Sequence, residues 1–257
     1  MHHPPVFYAT ILFLSAILGG VIFFLTHKQT GKGLKLLLAF SAAYLLGLTL
    51  LHLFPELFSS GIAGAGWYVL GGFMLQVILD FFSHGVEHGH AHTEKHHHHG
   101  TRFLFTVMVS LWIHAFIEGM PFGGAFGGHV HEAHEHVHGH VHDHRDSLLV
   151  GISLHKITET LVFTALLFGS GLSKMRVLFW MILFALVAPA GAFAHYLIGE
   201  NGLANIETLT PKVIGVLIGI LLHVSTIILF ESEEGHQFNW KKFAAIILGI
   251  GMAAAFV

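Results

Sequence analysis

Residues 6–26 read VFYATILFLSAILGGVIFFLT, a run of 21 residues without a charged side chain. A bilayer core about 30 Å thick requires roughly 20 apolar residues in one helix, so this stretch predicts a transmembrane helix. Seven further stretches have a similar length and are continuously apolar, which indicates helices rather than the alternating strands of a barrel. The eight predicted spans are 6–26, 34–58, 65–84, 103–122, 147–169, 175–198, 210–231 and 240–257.

The composition of the whole chain agrees with this pattern. The 257 residues are 54% hydrophobic and 11% charged, with a mean hydropathy of +0.70. A soluble domain carries roughly 25% charged residues, so we expect an all-α, multi-pass integral membrane protein, with the lipid bilayer as its surroundings. The net charge of −3 argues against a nucleic-acid partner, and the absence of cysteine excludes disulfides and thiolate metal sites.

The distribution of lysine and arginine predicts the orientation. Connections 1–2, 3–4, 5–6 and 7–8 hold nine of these residues, whereas the other connections hold only Arg145 and Lys212. The positive-inside rule then places both termini outside the cytoplasm. We expect one eight-helix transmembrane domain over residues 1–257, located in the cell (inner) membrane. The nine residues are Lys28, Lys32, Lys35, Lys95, Arg102, Lys174, Arg176, Lys241 and Lys242.

Two connections are rich in histidine, which occurs 25 times in the chain. We predict a His-rich cytoplasmic loop at 84–100 and a His-rich extracytoplasmic loop at 127–146, each with eight imidazoles. Such segments offer nitrogen and oxygen ligands in many geometries, which suits weak capture of borderline metals. An inert polar connector of low complexity is the alternative.

Two pairs of ionisable residues lie deep inside predicted spans. His114 and Glu118 in the fourth span, and His155 and Glu159 in the fifth, are each four residues apart and therefore share one helix face. Charged groups at bilayer depth are costly and usually functional. Two imidazoles and two carboxylates suit Zn²⁺ and other divalent first-row metals, so we predict a metal site. The alternative is a pair of buried polar bridges between helices.

The same residues carry a resemblance to a known family. The chain resembles the ZIP (ZRT/IRT-like) family of divalent metal transporters over essentially its whole length. Three family motifs carry the resemblance: H-N-x-x-[DE]-G in the fourth helix and H-[DEN]-x-x-[EH] in the fifth, each matched except at its second position, and H-x-x-P-E at the end of the second helix. The matching residues are His114, Glu118, Gly119, His155, Glu159, His52, Pro55 and Glu56.

The resemblance implies more than the residues alone predict. It implies eight helices in a 3+2+3 arrangement, both termini extracytoplasmic, and uptake of the metal toward the cytoplasm. It also implies that the metal-binding helices move relative to a dimer-forming frame, which makes a homodimer an expected partner.

The chain departs from the family pattern at three positions. Many members hold a second metal with ligands that are replaced in this sequence by Ala115, Lys156 and Ala188. We therefore infer a mononuclear centre, in which the Lys156 ammonium stands near the place of the second cation and neutralises carboxylates that otherwise repel each other. The alternative is that Lys156 pairs with a carboxylate elsewhere and fixes the bundle.

Other residues are weaker candidates for metal binding. His52 and Glu56 near the outer end of the second span predict either a site at the mouth or a pair that reaches the interface. His223 in the seventh span is a further candidate ligand toward the cytoplasmic side.

The leading functional prediction is transport of a divalent metal, with Zn²⁺ expected first and Cd²⁺, Fe²⁺ or Mn²⁺ as other substrates. Protonation of the ligands competes with the metal, so pH is expected to affect affinity. We expect no enzymatic activity and no required cofactor. Two alternatives stay open: an intramembrane zinc-dependent hydrolase and a metal sensor that does not conduct. Glu118 or Glu159 could act as the base of a hydrolase, but too few ligands would then remain for the metal, and the absence of an HExxH motif also disfavours this alternative.

Overall fold

All regular elements in the described part of the chain are helical. The computed structural model describes residues 4–26, 30–83, 101–124, 144–230 and 239–255. The predicted loop at 84–100 lies outside these residues, as does most of the loop predicted at 127–146. A helix begins at His144, so the last three residues of the loop predicted at 127–146 belong to that helix instead.

Ten α-helices are present within the described residues. They are α1 (Pro5–Thr26), α2 (Thr30–Leu48), α3 (Phe54–Ser59), α4 (Ala65–Ser83), α5 (Thr101–Gly119), α6 (His144–Gly169), α7 (Lys174–Ala185), α8 (Val187–Glu200), α9 (Ile206–Phe230) and α10 (Trp240–Ala255). A π-helical turn, Thr49–Leu53, joins α2 to α3, and a 3₁₀ turn, Met120–Gly123, continues α5.

Seven helical stretches are long and apolar enough to cross a membrane, and they correspond to the first seven predicted spans. The eighth span is α10, which has 16 described residues and is shorter than the others. The described helices thus have the length and apolar content of a multi-pass integral membrane protein. Helix α9 begins at Ile206, before the predicted start at 210, and Pro211 lies inside it, where the carbonyl of Glu207 receives no N–H from position 211.

Proline explains why two predicted spans are built from more than one helix. Pro189 has no N–H to donate to the carbonyl of Ala185, four residues earlier, and α7 ends at Ala185. Helix α8 begins two residues later, so Pro189 falls in its first turn, where N–H groups have no helical partner in any case. Pro55 is the second residue of α3, directly after the π-helical turn, so its missing N–H also falls in the first turn of a helix.

The helices pack as two groups. The site group consists of α1, α5, α6, α7 and α8, with α1 lying along α6 and α8, and α5 along α8. The second group consists of α2, α3, α4, α9 and α10, with α2 packed on α10 and α4 on α9. The two groups meet where α2 packs against α6 and where α4 packs against α5.

Polar and apolar side chains are distributed as expected for a protein surrounded by lipid. Large apolar side chains cover the outside, with Phe230 and Leu25 about four-fifths exposed. Several ionisable side chains lie inside the bundle, among them Glu118, His155 and Lys156. Since a buried charge is stable only when it is paired or bound to a metal, the interior must contain a polar site.

Candidate metal centre

The four predicted ligands meet inside the bundle. Helix α5 presents His114 and Glu118 on one face, and α6 presents His155 and Glu159. One ligand atom from each residue lies within 4.8 Å of all the others, and all four side chains are buried. The i, i+4 spacing on each helix therefore produces one cluster from two elements.

The distances within the cluster are close to those of a metal site. Nε2 of His114 lies 3.1 Å from Oε1 of Glu118, and Nε2 of His155 lies 3.9 Å from the same oxygen. Two ligand atoms on a tetrahedral Zn²⁺ are separated by about 3.3 Å, because each Zn–N or Zn–O bond is roughly 2.0–2.1 Å. The His114–Glu118 pair is already near this separation, whereas His155 must approach by some tenths of an ångström.

Lys156 lies between the two carboxylates of the cluster. Its Nζ is 2.5 Å from Oε2 of Glu118 and 2.5 Å from Oε2 of Glu159, and its side chain is 1% exposed. The ammonium also lies 5.6 Å from the centre of the Phe184 ring. The carboxylates that Lys156 pairs with are thus those of the centre itself, and each gives the ammonium one of its two oxygens.

The remaining atoms of the cluster are suited to a cation. Oε1 of Glu159 and both ring nitrogens of His155 are buried and have no hydrogen-bond partner among the described residues. Unpaired buried polar atoms of this kind are costly, and a bound divalent ion would satisfy the Glu159 oxygen and one of the two His155 nitrogens. Imidazole nitrogens and carboxylate oxygens, with no thiolate, suit Zn²⁺ and several other divalent first-row metals.

Close packing on α8 fixes the part of α5 that carries Glu118. A Cβ at Gly119 would collide with the backbone of Ala188, and a Cβ at Gly191 would collide with the backbone of Phe116. One turn further, Nδ1–H of His195 donates a hydrogen bond of 2.7 Å to the carbonyl oxygen of Met120. Glycine on both helices therefore lets the backbones touch, and His195 holds the end of α5.

Sequence reasoning missed one residue of the site, Gln76 on α4. This side chain is fully buried, and its Oε1 accepts a hydrogen bond of 3.0 Å from Nδ1–H of His114. The signal that could have found it is a lone amide inside an apolar span, since uncharged polar groups at that depth also need partners.

The weaker candidates lie outside the four-residue cluster. Nε2–H of His52 donates to the carbonyl of Ala253, at 3.2 Å, and so joins the π-helical turn to α10. Glu56 lies one turn further along α3. Nε2 of His223 lies 3.9 Å from Oδ2 of Asp80 and faces the ring of Phe73.

Fold and site together define a class: a helical protein of the membrane with a buried His/Glu cluster that could hold a metal ion. No model of a known protein family matches the chain, and no curated protein matches it either.

Proposed function

We propose that the protein transports a divalent metal, Zn²⁺ first, across the membrane toward the cytoplasm through the centre of His114, Glu118, His155 and Glu159. The observation that carries the proposal is that four side chains able to bind a metal converge, all buried, within two helices that are long and apolar enough to cross a membrane. Nitrogen and oxygen ligands exchange divalent ions, which a transport site must do. The motifs that resemble the ZIP family support the same substrate and direction.

The contacts of Lys156 support a centre that holds one ion. The two carboxylates and the ammonium sum to a formal charge of −1, which one divalent ion changes to +1. A second divalent ion would leave a large uncompensated positive charge in a buried site, at a cost of several kcal/mol. The ammonium therefore takes the role of a second cation, and the ion is bound through the other oxygens of Glu118 and Glu159.

The same contacts disfavour a hydrolase. A zinc hydrolase needs ligands for the metal and a further carboxylate or imidazole to act as a base. Glu118 and Glu159 each give one oxygen to Lys156 and offer the other to the metal, so neither remains for this task. Exchange of an ion without covalent chemistry requires no such base.

The packing of the helices supports movement of the site group against the second group. The glycine contacts that bring backbones together at Gly119 and Gly191 lie within the site group, so its helices are held firmly to one another. We propose the 3+2+3 arrangement, extracytoplasmic termini and a dimer-forming frame as the resemblance implies them, with the protein in the cell membrane.

Metal flux in proteoliposomes tests this function. Purified protein is compared with empty vesicles for uptake of Zn²⁺, Cd²⁺, Fe²⁺ and Mn²⁺, and then with the variants Glu118→Ala and Glu200→Ala. Glu200 is an exposed residue at the end of α8 and serves as the matched control. We expect saturable flux in wild type and in the control, and only background flux in Glu118→Ala, because an ion would lack a ligand in an apolar interior.

Normal flux through a folded Glu118→Ala protein would contradict the assignment of the centre. Metal-dependent hydrolysis without flux would favour the enzyme instead.

A further inference from the structure

Gln76 joins the metal centre to a helix that carries none of its four metal-binding residues. The amide lies on α4, in the second group, whereas His114 lies on α5, in the site group. Their hydrogen bond of 3.0 Å is buried and links residues 38 positions apart. The meaning of this contact depends on the proposed function, since it concerns how His114 binds a metal.

The hydrogen bond determines which nitrogen of His114 carries the proton. A carbonyl oxygen can only accept, so Oε1 of Gln76 requires the proton on Nδ1. In the neutral ring, Nε2 then has a lone pair, which points toward the cluster and lies 3.1 Å from Oε1 of Glu118. Two acceptors at this distance repel each other unless a proton or a metal ion lies between them. Gln76 thus prepares His114 for a metal.

The second imidazole of the cluster lacks this support. Nδ1 of His155 has no hydrogen-bond partner among the residues that the structure describes. Metal-binding histidines usually donate their other N–H to a fixed acceptor, and loss of that acceptor weakens metal binding. His114 is therefore the imidazole of the pair whose orientation a hydrogen bond fixes.

We propose that Gln76 is a positioning residue that presents Nε2 of His114 to the transported ion, and that it thereby ties the affinity of the centre to the packing of α4 on α5. While the two helices are in contact, the imidazole is held in the metal-binding tautomer. When the site group shifts against the second group, the acceptor is withdrawn, His114 can change tautomer, and the ion is held less tightly.

Zinc binding and the tautomer of His114 are measured together. The full chain is used with every histidine in 84–99 and 129–144 replaced by serine, so that Zn²⁺ titration reports the centre. Gln76→Met removes the acceptor at nearly constant volume, and Gln76→Glu retains an acceptor. Ser83→Ala is the matched control, because Ser83 is also buried on α4 and its hydroxyl bonds to the carbonyl of Asp80.

We expect Gln76→Met to weaken zinc affinity by about 10- to 100-fold. In ¹⁵N spectra of histidine-labelled, metal-free protein, the His114 signal should change from the Nδ1–H tautomer to a mixture, and it is assigned by its loss in His114→Ala. Gln76→Glu should keep both the tautomer and the affinity, and Ser83→Ala should match wild type.

Three results would overturn the proposal: zinc affinity within twofold of wild type in Gln76→Met, an unchanged tautomer in that variant, or weakened binding in a folded Gln76→Glu. The last result decides the matter even if Gln76→Met does not fold. Failure of the proposed function looks different, because wild type would then show no metal flux above that of empty vesicles even though its zinc affinity depends on Gln76.

Discussion

Lys156 offsets the electrostatic repulsion between the two carboxylates of the His/Glu cluster. Two carboxylates held a few ångströms apart in a buried site repel each other strongly, and each loses its hydration. The ammonium lies 2.5 Å from an oxygen of each and offsets that repulsion. Because it is attached to α6, it cannot leave, and it also lowers the attraction of the proposed metal site for a divalent ion. A transport site needs moderate affinity, since an ion that is held too firmly is released slowly.

Replacing Lys156 by an acidic residue reverses this effect. Lys156→Glu removes a competing charge and adds a ligand, and charges a few ångströms apart interact by about 4 kcal/mol at an effective dielectric near 20. We expect tighter zinc binding, a rise in the number of ions bound at the centre and slower maximal flux, measured by titration and by vesicle uptake. Lys174→Glu, at the exposed start of α7, is the control. A loss of stability with no rise in affinity or bound metal would instead assign Lys156 a purely structural role.

The residues of the centre differ in how far the sequence predicts them. The spacing of His114 with Glu118, and of His155 with Glu159, places each pair on one helix face, and this was sufficient to predict the cluster. The contact between Lys156 and Glu118 was not predictable from spacing, because it depends on how α6 is rotated toward α5. Gln76 was missed for a similar reason, since its partner lies on another helix, 38 residues away.

At the scale of the helix, the contact between α5 and α8 determines where Glu118 lies. Gly119 follows Glu118 directly and touches the backbone of Ala188, so the carboxylate is held at a fixed depth against α8. Backbone contacts of this kind drive association in membranes, where small residues let helices approach closely.

A methyl group at this contact should separate the two helices. We expect Gly119→Ala to lower the free energy of unfolding by about 1–3 kcal/mol, as for overpacked cores, and to weaken zinc binding because Glu118 is displaced. Thermal unfolding in detergent and zinc titration measure the two effects. Gly71→Ala is the matched control, since a Cβ at Gly71 on α4 meets no atom within 4 Å. Equal stability and binding in the two variants would show that α5 tolerates displacement from α8.

The sequence predicts the positions of the helices better than their interruptions. A continuous apolar run identifies a span because bilayer thickness fixes its length. The same run does not show that the sixth span consists of α7 and α8, or that a π-helical turn interrupts the second. Pro55 and Pro189 indicate a missing N–H at each place, but neighbouring contacts decide whether the chain bends, bulges or starts a new helix.

At the scale of the whole molecule, the two helix groups meet along a surface crossed by polar contacts. Besides the His114–Gln76 bond, the hydroxyl of Tyr44 on α2 donates to the carbonyl of Ser147 on α6, at 2.9 Å. Thr210 on α9 donates to Nε2 of His195 on α8, at 3.3 Å. Hydrogen bonds of this kind are individually worth about 1 kcal/mol, so they can hold one arrangement without preventing another.

The His-rich segment predicted outside the cytoplasm should affect the supply of metal rather than its path. Replacing every histidine in 129–144 by serine should weaken uptake at low zinc concentration and preserve the maximal rate, because weak ligands raise local metal concentration without forming the centre. Initial rates over a range of Zn²⁺ concentrations measure both quantities. Serine substitutions in 84–99 provide the matched comparison, since that segment is predicted on the opposite side. Loss of flux at saturating zinc would place these imidazoles in the path.

The number and ligands of the bound ion provide the most direct test of the proposed centre. Zinc is counted per chain, and its coordination is measured by X-ray absorption, on the full chain with the histidines of 84–99 and 129–144 replaced by serine. One zinc per chain is predicted, bound by imidazole nitrogen and carboxylate oxygen at about 2.0–2.2 Å, and it should be lost in His114→Ala and Glu118→Ala. A chain that binds no zinc, binds two ions, or retains its zinc in both variants would contradict a single-ion centre at these residues.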